Sequence, residues 1–197
     1  MSALVEAFVY IVQTLGSLYL LIVLLRFILQ LVRADFYNPL SQFIVKATQP
    51  LLMPFRRIIP GFGGVDLAAL VLALVLQIVL MCVILLVLNA PLGQLLPSVL
   101  VWSVIAITSL FLKVFFFALI VSVILSWVAP ASHNPGAMLV QQITEPFLAP
   151  FRRFLPNLGG LDLSPIFAFL TLNLLDRFVI GKLAAMSGMP AILSPFM

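Results

Sequence analysis

The chain has 197 residues, of which 64% are hydrophobic and only 8% are charged. Soluble domains contain roughly 25% charged residues, so a chain of this composition cannot cover its surface with polar groups in water. The composition excludes an ordinary soluble enzyme or binding domain and predicts an integral membrane protein. The formal net charge of +4 is small, and the positions of the charges are more informative than their sum.

Four apolar runs, taken in chain order, predict four transmembrane helices. We place these spans at about 4–32, 67–88, 99–128 and 163–185. Each run supplies the roughly 20 apolar residues that a helix needs to cross a bilayer core. The runs are continuously apolar and lack the alternation of a membrane barrel, so we expect an all-α protein. The first run is too long for a signal-peptide core, and we expect it to be retained as a span.

The segment between the first two runs recurs between the last two. Residues 48–67 align without a gap with residues 144–163, 96 positions later, and twelve of the twenty residues are identical. Asn38–Pro39 and Asn134–Pro135 keep the same offset. We therefore predict two parallel repeats of helix–amphipathic hairpin–helix. The repeats cover 1–92 and 93–197, and their hairpins cover 33–66 and 129–162.

Each hairpin combines an interfacial helix, prolines, a glycine turn and an aspartate. In the first copy, residues 36–48 predict a short amphipathic helix on the membrane interface, with Leu40, Phe43, Ile44 and Ala47 on its apolar face. We expect the prolines to end this helix, the glycines to allow a turn with positive φ, and the aspartate to cap the next span. These residues are Pro50, Pro54, Pro60, Gly63, Gly64 and Asp66 in the first copy, and Pro146, Pro150, Gly159, Gly160 and Asp162 in the second.

Each hairpin also contains an arginine pair, Arg56–Arg57 or Arg152–Arg153. Three interpretations remain open for these pairs. They could anchor the protein on lipid phosphates, form an ion-paired clasp with the capping aspartate, or bind a partner protein or a specific anionic lipid.

The distribution of basic residues predicts the orientation. The hairpins contain six of them, whereas the loop at 90–94 and the N-terminal tail contain none. The positive-inside rule therefore places the hairpins in the cytoplasm and both termini outside. Two basic residues, Arg177 and Lys182, fall on the outer side and weaken this bias. The six hairpin residues are Arg33, Lys46, Arg56, Arg57, Arg152 and Arg153.

Ionisable residues inside the spans are the second set of candidates, because they are costly to insert into a bilayer. Arg26 lies roughly 10 Å from the cytoplasmic end of the first span, close enough to snorkel. Lys113 and Asp176 are predicted to lie at similar depths, roughly 22 and 21 Å from the cytoplasmic ends of the third and fourth spans. Three alternatives remain: Lys113 and Arg177 snorkel outward while Asp176 pairs locally, Lys113 pairs with Asp176, or the charges line an ion pathway.

No catalytic constellation is visible in the sequence. The single histidine, His133, has no cysteine or carboxylate cluster near it, and Cys82 is the only cysteine. No phosphate-binding loop or nucleophile elbow occurs. We therefore expect no enzyme activity, cofactor, metal or direct nucleic-acid contact. The expected function is a membrane scaffold or assembly factor whose hairpins hold anionic lipid, an unidentified membrane-protein partner or a second copy. The alternative is a subunit of a small cation channel or transporter.

The second hairpin, TEPFLAPFRRFLPNLGGLDLSPIFAFL at 144–170, with ILSW at 124–127 before it, closely resembles the repeat of the YggT/YlmG family of small bacterial membrane proteins with plastid relatives. The first copy departs from this pattern, with Gln49 in place of Glu145, LQL in place of LSW, and DLAA in place of DLSP. The resemblance implies an inner-membrane (or thylakoid) protein with no established reaction. It also implies general links to osmotic or potassium homeostasis, to cell or nucleoid organisation and to plastid cytochrome assembly.

Overall fold

The computed structural model describes residues 3–61, 63–129, 134–154 and 162–193, and its regular elements over these ranges are helices. In chain order they are α1 (Ala3–Leu31), α2 (Pro39–Ile58), α3 (Leu67–Val87), α4 (Leu92–Val128) and α5 (Pro135–Phe154). A continuous helical segment follows, made of α6 (Ser164–Leu174), a π-helical turn (Leu175–Ile180) and α7 (Gly181–Met186). A short 3-10 helix covers Ala191–Leu193.

Three of these helices, α1, α3 and α4, are long and apolar enough to cross a membrane. Their most apolar windows are only 28–39% buried inside the protein, so most of their apolar surface faces outward, as fits a membrane protein. The third span begins earlier than predicted, at Leu92 instead of about 99, and helix α4 continues through Pro97. Its 37 residues give a length of about 55 Å, which is well beyond a hydrocarbon core of about 30 Å.

The predicted fourth span, 163–185, is helical from Ser164 to Met186 but is not one regular α-helix. Helix α6 has only 11 residues, fewer than the roughly 20 needed to cross a bilayer core. The π-helical turn follows, and the Gly181 backbone N–H donates to the Asp176 carbonyl, five residues earlier. Such wide turns inside helices are frequent at functional sites. The crossing of the membrane by this segment stays a prediction.

The expectation that the hairpin prolines end the interfacial helix was wrong for Pro50 and Pro54, although the helix does end two residues before Pro60. Helix α2 continues through Pro50 and Pro54 to Ile58. Proline removes a backbone donor and leaves the carbonyl four residues earlier without its helical partner. Both prolines are exposed, and so is Lys46, whose carbonyl loses its bond to Pro50, so the lost bonds fall on the outer side of the helix. Helix α5 likewise continues through Pro146 and Pro150, which are also exposed.

The structure buries only part of the predicted apolar face of α2 against the protein. The helix buries Ile44 and Leu52, together with the hydroxyl residues Ser41 and Thr48. Leu40 and Phe43, which were predicted on the apolar face, are 47% and 62% exposed. The apolar pattern therefore has two sides, one against the protein and one facing away from it.

The two repeats pack their elements in the same way. Helices α1, α2 and α3 contact one another, and so do α4, α5 and α6. Helix α3 also packs against α4, and α2 contacts α5. Helices α2 and α5 each have 20 residues, and their first residues, 39 and 135, are 96 positions apart, as are their last, 58 and 154. The sequence repeat is therefore also a structural repeat.

The bundle has two distinct ends. The hairpin end contains the larger apolar core, to which both repeats contribute, for example through Leu52 and Leu148. At the other end, Gln13 Nε2 of α1 donates to the Ile192 carbonyl (2.7 Å), and Trp102 Nε1 of α4 donates to the Ser187 carbonyl (3.0 Å). Both hairpins thus lie away from the end at which the first and last described segments meet.

Candidate functional site: a polar clasp in each hairpin

The first hairpin is closed by a group of polar residues that we call the first clasp: Arg26, Thr48, Gln49, Arg56 and Asp66. Arg26 lies on α1 and is 3% exposed. Its Nη1 donates to Thr48 Oγ1 (2.6 Å) and to the Val45 carbonyl (3.0 Å), and its Nη2 donates to Gln49 Oε1 (3.1 Å). The sequence suggested that Arg26 snorkels to the membrane surface. It does not, because α2 supplies acceptors for its guanidinium.

Asp66 joins the three helices of the first repeat. Its Oδ1 accepts from the Ala69 backbone N–H (3.2 Å) and caps the N-terminus of α3. Its Oδ2 pairs with Arg56 at the end of α2 and lies 3.9 Å from Arg26 Nε of α1. The Asp66 side chain is 4% exposed, so these partners, and not solvent, compensate its charge. Gly63 and Gly64, in the turn before it, have φ of 62° and 83°, values that glycine adopts without steric cost.

The second hairpin contains the equivalent second clasp, formed by Thr144, Glu145, Arg152 and Asp162. Arg152 Nη1 donates to both oxygens of Glu145 (2.9 and 2.6 Å), and its Nε donates to Asp162 Oδ2 (3.0 Å). Asp162 Oδ1 accepts from the Ser164 backbone N–H (2.9 Å) at the start of α6. As in the first clasp, an arginine near the end of one helix pairs with the aspartate that precedes the next helix, but Ser122 takes the place of Arg26.

The aspartate of the second clasp is far more exposed than that of the first. The Asp162 side chain is 44% exposed, against 4% for Asp66, whereas Arg152 at 43% and its counterpart Arg56 at 41% are exposed to the same extent. Partial burial raises the pKa of Asp162, but the hydrogen bonds from Ser164 and Arg152 and the nearby positive charge outweigh it and hold the pKa below its usual value. Burial likewise opposes the charge of Arg152, yet its two carboxylate partners raise its pKa.

The clasps divide each arginine pair. Within the part of the chain that the structure describes, Arg56 and Arg152 make the ion pairs, whereas Arg57 and Arg153 are exposed and make none. Each arginine pair therefore consists of one arginine that closes the hairpin and one that faces outward. Gly159, Gly160 and His133 lie outside the described residues.

The hairpins contact each other at the start of their helices. Asn38 caps α2 by accepting from the Leu40 backbone N–H (2.9 Å), and its Nδ2 donates to the Pro135 carbonyl at the start of α5 (2.6 Å). The Asp35 backbone N–H donates to Gln142 Oε1 (3.0 Å). The repeated Asn–Pro pair was visible in the sequence, and an asparagine before proline is a typical N-cap followed by the first helical residue, but its contact across the repeats was not predicted.

The structure brings Lys113 and Asp176 together near the π-helical turn. Lys113 Nζ of α4 lies 3.7 Å from Asp176 Oδ2, and both side chains are 29% exposed. Asp176 Oδ1 also accepts from Ser109 Oγ (2.9 Å), a partner that the sequence analysis missed although it lies one helical turn before Lys113. A small cavity of about 130 Å³ adjoins the pair and is lined by Leu112, Lys113, Phe116, Phe117, Leu172, Asn173 and Asp176. Arg177 is exposed.

These features define a class: a helical membrane-type protein made of two similar repeats, each closed by a polar clasp. The family described as CCB3/YggT matches residues 5–87 and 101–183, and the chain belongs to this family.

Bacterial relatives are similar over most or all of the chain, and a plastid relative over a third of it. The uncharacterized protein PA0392 of Pseudomonas aeruginosa is 73% identical over 197 residues, which is all of both chains. The uncharacterized protein YggT of Escherichia coli K12 is 34% identical over 180 residues, 91% of this chain and 93% of its own length. A chloroplastic YlmG homolog protein 2 of Arabidopsis thaliana is 46% identical over 66 residues, 32% of this chain and 25% of its own length. No solved structure matches the chain significantly.

Proposed function

We propose that this chain is a non-enzymatic scaffold or assembly factor of the bacterial inner membrane. In this proposal it crosses the membrane four times, with both hairpins in the cytoplasm and both termini outside. Six basic residues in the hairpins, against none in the loop at 90–94, support this orientation. The separation of the hairpins from the end where Gln13 donates to Ile192 supports placing both hairpins on the same side of the membrane, and the basic residues alone argue that this side is the cytoplasm.

The observation that carries the proposal is the division of the arginine pairs. The first clasp ties α1, α2 and α3 together through Arg26, Arg56 and Asp66, and the second ties α5 to the start of α6 through Arg152 and Asp162. The exposed neighbours, Arg57 and Arg153, are then held on a fixed backbone, at the last turns of α2 and α5. A pre-organised surface loses less conformational freedom on binding. We call the two arginine pairs together the basic platform, and its natural ligands are anionic lipid headgroups or an acidic juxtamembrane segment of a partner.

The test is complementation of a deletion strain under osmotic stress. A variant with Arg57 and Arg153 both changed to Gln is expected to insert and fold normally but to lose function. A variant with Arg33 and Lys46 both changed to Gln removes the same number of charges from the first hairpin and serves as the control. A further variant changes all four arginines of the basic platform, 56, 57, 152 and 153, to Gln. If it inserts at wild-type levels and the strain still grows normally, the platform has no role.

A second candidate function is a subunit of a small cation channel or transporter. The Lys113–Asp176 pair, the Ser109 hydroxyl and the adjoining cavity of about 130 Å³ favour this candidate, because ionisable residues at membrane depth often mark ion pathways. Ion flux in liposomes containing the purified protein separates the two functions. A potassium flux that is abolished by Asp176→Asn would support the channel, whereas a scaffold gives no flux above empty liposomes.

A further inference from the structure

The two clasps differ in one consistent way, which shows when the repeats are superimposed by their offset of 96 positions. Arg26 and Gln30 of α1, and Arg33 just after it, correspond to Ser122 and Ser126 of α4 and to Ala129 just after it. Three long polar side chains in the first repeat are thus replaced by three short ones in the second. A cavity of about 500 Å³ occupies this place, and Ser122, Ser126 and Ala129 all line it together with Thr144, Glu145 and Arg152.

Each acceptor that holds Arg26 in the first repeat has a counterpart in the second. Thr48 Oγ1 donates to the Ile44 and Val45 carbonyls (2.8 and 3.2 Å) and accepts from Arg26. Thr144 Oγ1 donates to the equivalent carbonyls, of Val140 and Gln141 (3.0 and 3.3 Å). Thr144 is 1% exposed, and a hydroxyl oxygen that donates in this way keeps its acceptor capacity.

The remaining acceptors correspond as well. Gln49, which accepts from Arg26, is replaced by Glu145, and Asp66 corresponds to Asp162. Two arginines and one aspartate give the first clasp a formal charge of +1, whereas one arginine and two carboxylates give the second clasp −1. The second clasp therefore keeps the acceptor positions that hold Arg26 but has Ser122 in place of that arginine. Arg152 already pairs with Glu145 and Asp162, and the remaining charge of −1 favours a second guanidinium beside it.

We propose that the cavity beside Arg152 binds a guanidinium group, either of a small molecule or of an arginine side chain from a partner. Its planar donors then bind Thr144, the Gln141 carbonyl and Glu145 as Arg26 binds their counterparts, while Leu125 and Leu148, which also line the cavity, contact the aliphatic part of the ligand. This binding does not require the exposed arginines of the basic platform, Arg57 and Arg153, and only Arg152 of that platform lines the cavity.

The test is titration calorimetry on the full-length protein in detergent, with butylguanidinium and a blocked arginine amide as probes and tetramethylammonium at equal ionic strength as the reference. Binding of both guanidinium probes is expected if the natural ligand is an arginine side chain of a partner. Binding of butylguanidinium alone is expected if the natural ligand is a small molecule. Ser122→Arg places an internal guanidinium in the cavity and is expected to abolish binding. Glu145→Gln, which reproduces Gln49, is expected to weaken binding about tenfold through loss of the negative charge.

Two further results keep the proposal falsifiable if Ser122→Arg fails to fold. Glu6→Gln removes an exposed carboxylate from the start of α1, far from the clasp, and is expected to leave binding unchanged. The thermal unfolding midpoint of the wild type is expected to rise with butylguanidinium concentration, and that of Glu145→Gln to rise less. Equal binding of tetramethylammonium, no binding of either guanidinium probe, or unchanged binding in Glu145→Gln would each overturn the proposal.

Discussion

Loss of the buried guanidinium in the first clasp should destabilise the protein strongly. Arg26→Met removes three hydrogen bonds, to Val45, Thr48 and Gln49, and keeps the aliphatic stem. Three hydrogen bonds to a charged group contribute about 4.5–9 kcal/mol together, but the variant also removes the desolvation cost of the buried guanidinium, which is several kcal/mol. Asp66 keeps Arg56 as its partner, so no carboxylate is left alone. We expect a loss of about 2–4 kcal/mol in the free energy of unfolding.

Asp66→Asn is expected to cost more than Arg26→Met. The asparagine oxygen can still cap α3, but Arg26 then stays buried, at 3% exposed, without a carboxylate beside it. Uncompensated buried charges cost about 3–5 kcal/mol. The assay is reversible unfolding in mixed micelles, followed by helical circular dichroism, and Arg153→Met is the control because Arg153 is exposed. A loss below about 0.5 kcal/mol for Arg26→Met, the size of an ordinary surface substitution, would refute the reasoning.

Three further predictions concern other parts of the molecule. Lys113→Met and Asp176→Asn should each cost about 1 kcal/mol, a modest value because the pair is partly exposed, and the double variant should lose less than the sum; additive losses in this cycle would contradict the pairing. Gln77 is 1% exposed and its amide makes no hydrogen bond to the described residues, so Gln77→Met should raise the unfolding free energy by about 1–2 kcal/mol in the same micelle assay. Asp162 has a lowered pKa, so its contribution to stability is complete well above its ordinary pKa of 3.8 and is lost as the pH falls below that value. Thermal unfolding midpoints measured in that acid range should therefore fall more steeply with pH for the wild type than for Asp162→Asn.

The sequence was most informative where the chain obeys local rules. The gapless repeat predicted the repeated hairpin, and the family comparison bears out two repeats. The positions of the prolines suggested a helix end, but proline is tolerated where the freed carbonyls face outward, as around Pro50 and Pro54. Exposure of one helix face depends on tertiary packing, which local sequence does not encode.

The polar contacts of the candidate site were harder to predict. The depth of Arg26 suggested snorkelling, because the acceptors that hold it lie about 20 residues away on α2. The change from Gln49 to Glu145 was visible in the alignment of the repeats, but its meaning depends on a second change, from Arg26 to Ser122, in a different helix. The π-helical turn contains the charged residues Asp176 and Arg177, which the sequence analysis had singled out, but charged residues in an apolar run do not by themselves indicate a wide turn.

The basic platform is tested most directly by measuring lipid binding and stability together for two matched double variants. In nanodiscs with and without phosphatidylglycerol, Arg57→Gln with Arg153→Gln should weaken binding of the anionic lipid by about 2 kcal/mol, roughly thirtyfold, with little change in unfolding free energy. Arg56→Gln with Arg152→Gln should mainly reduce the unfolding free energy, because these arginines close the clasps. Unchanged phosphatidylglycerol binding in the Arg57 and Arg153 variant would contradict the assignment of the exposed arginines to an anionic membrane surface.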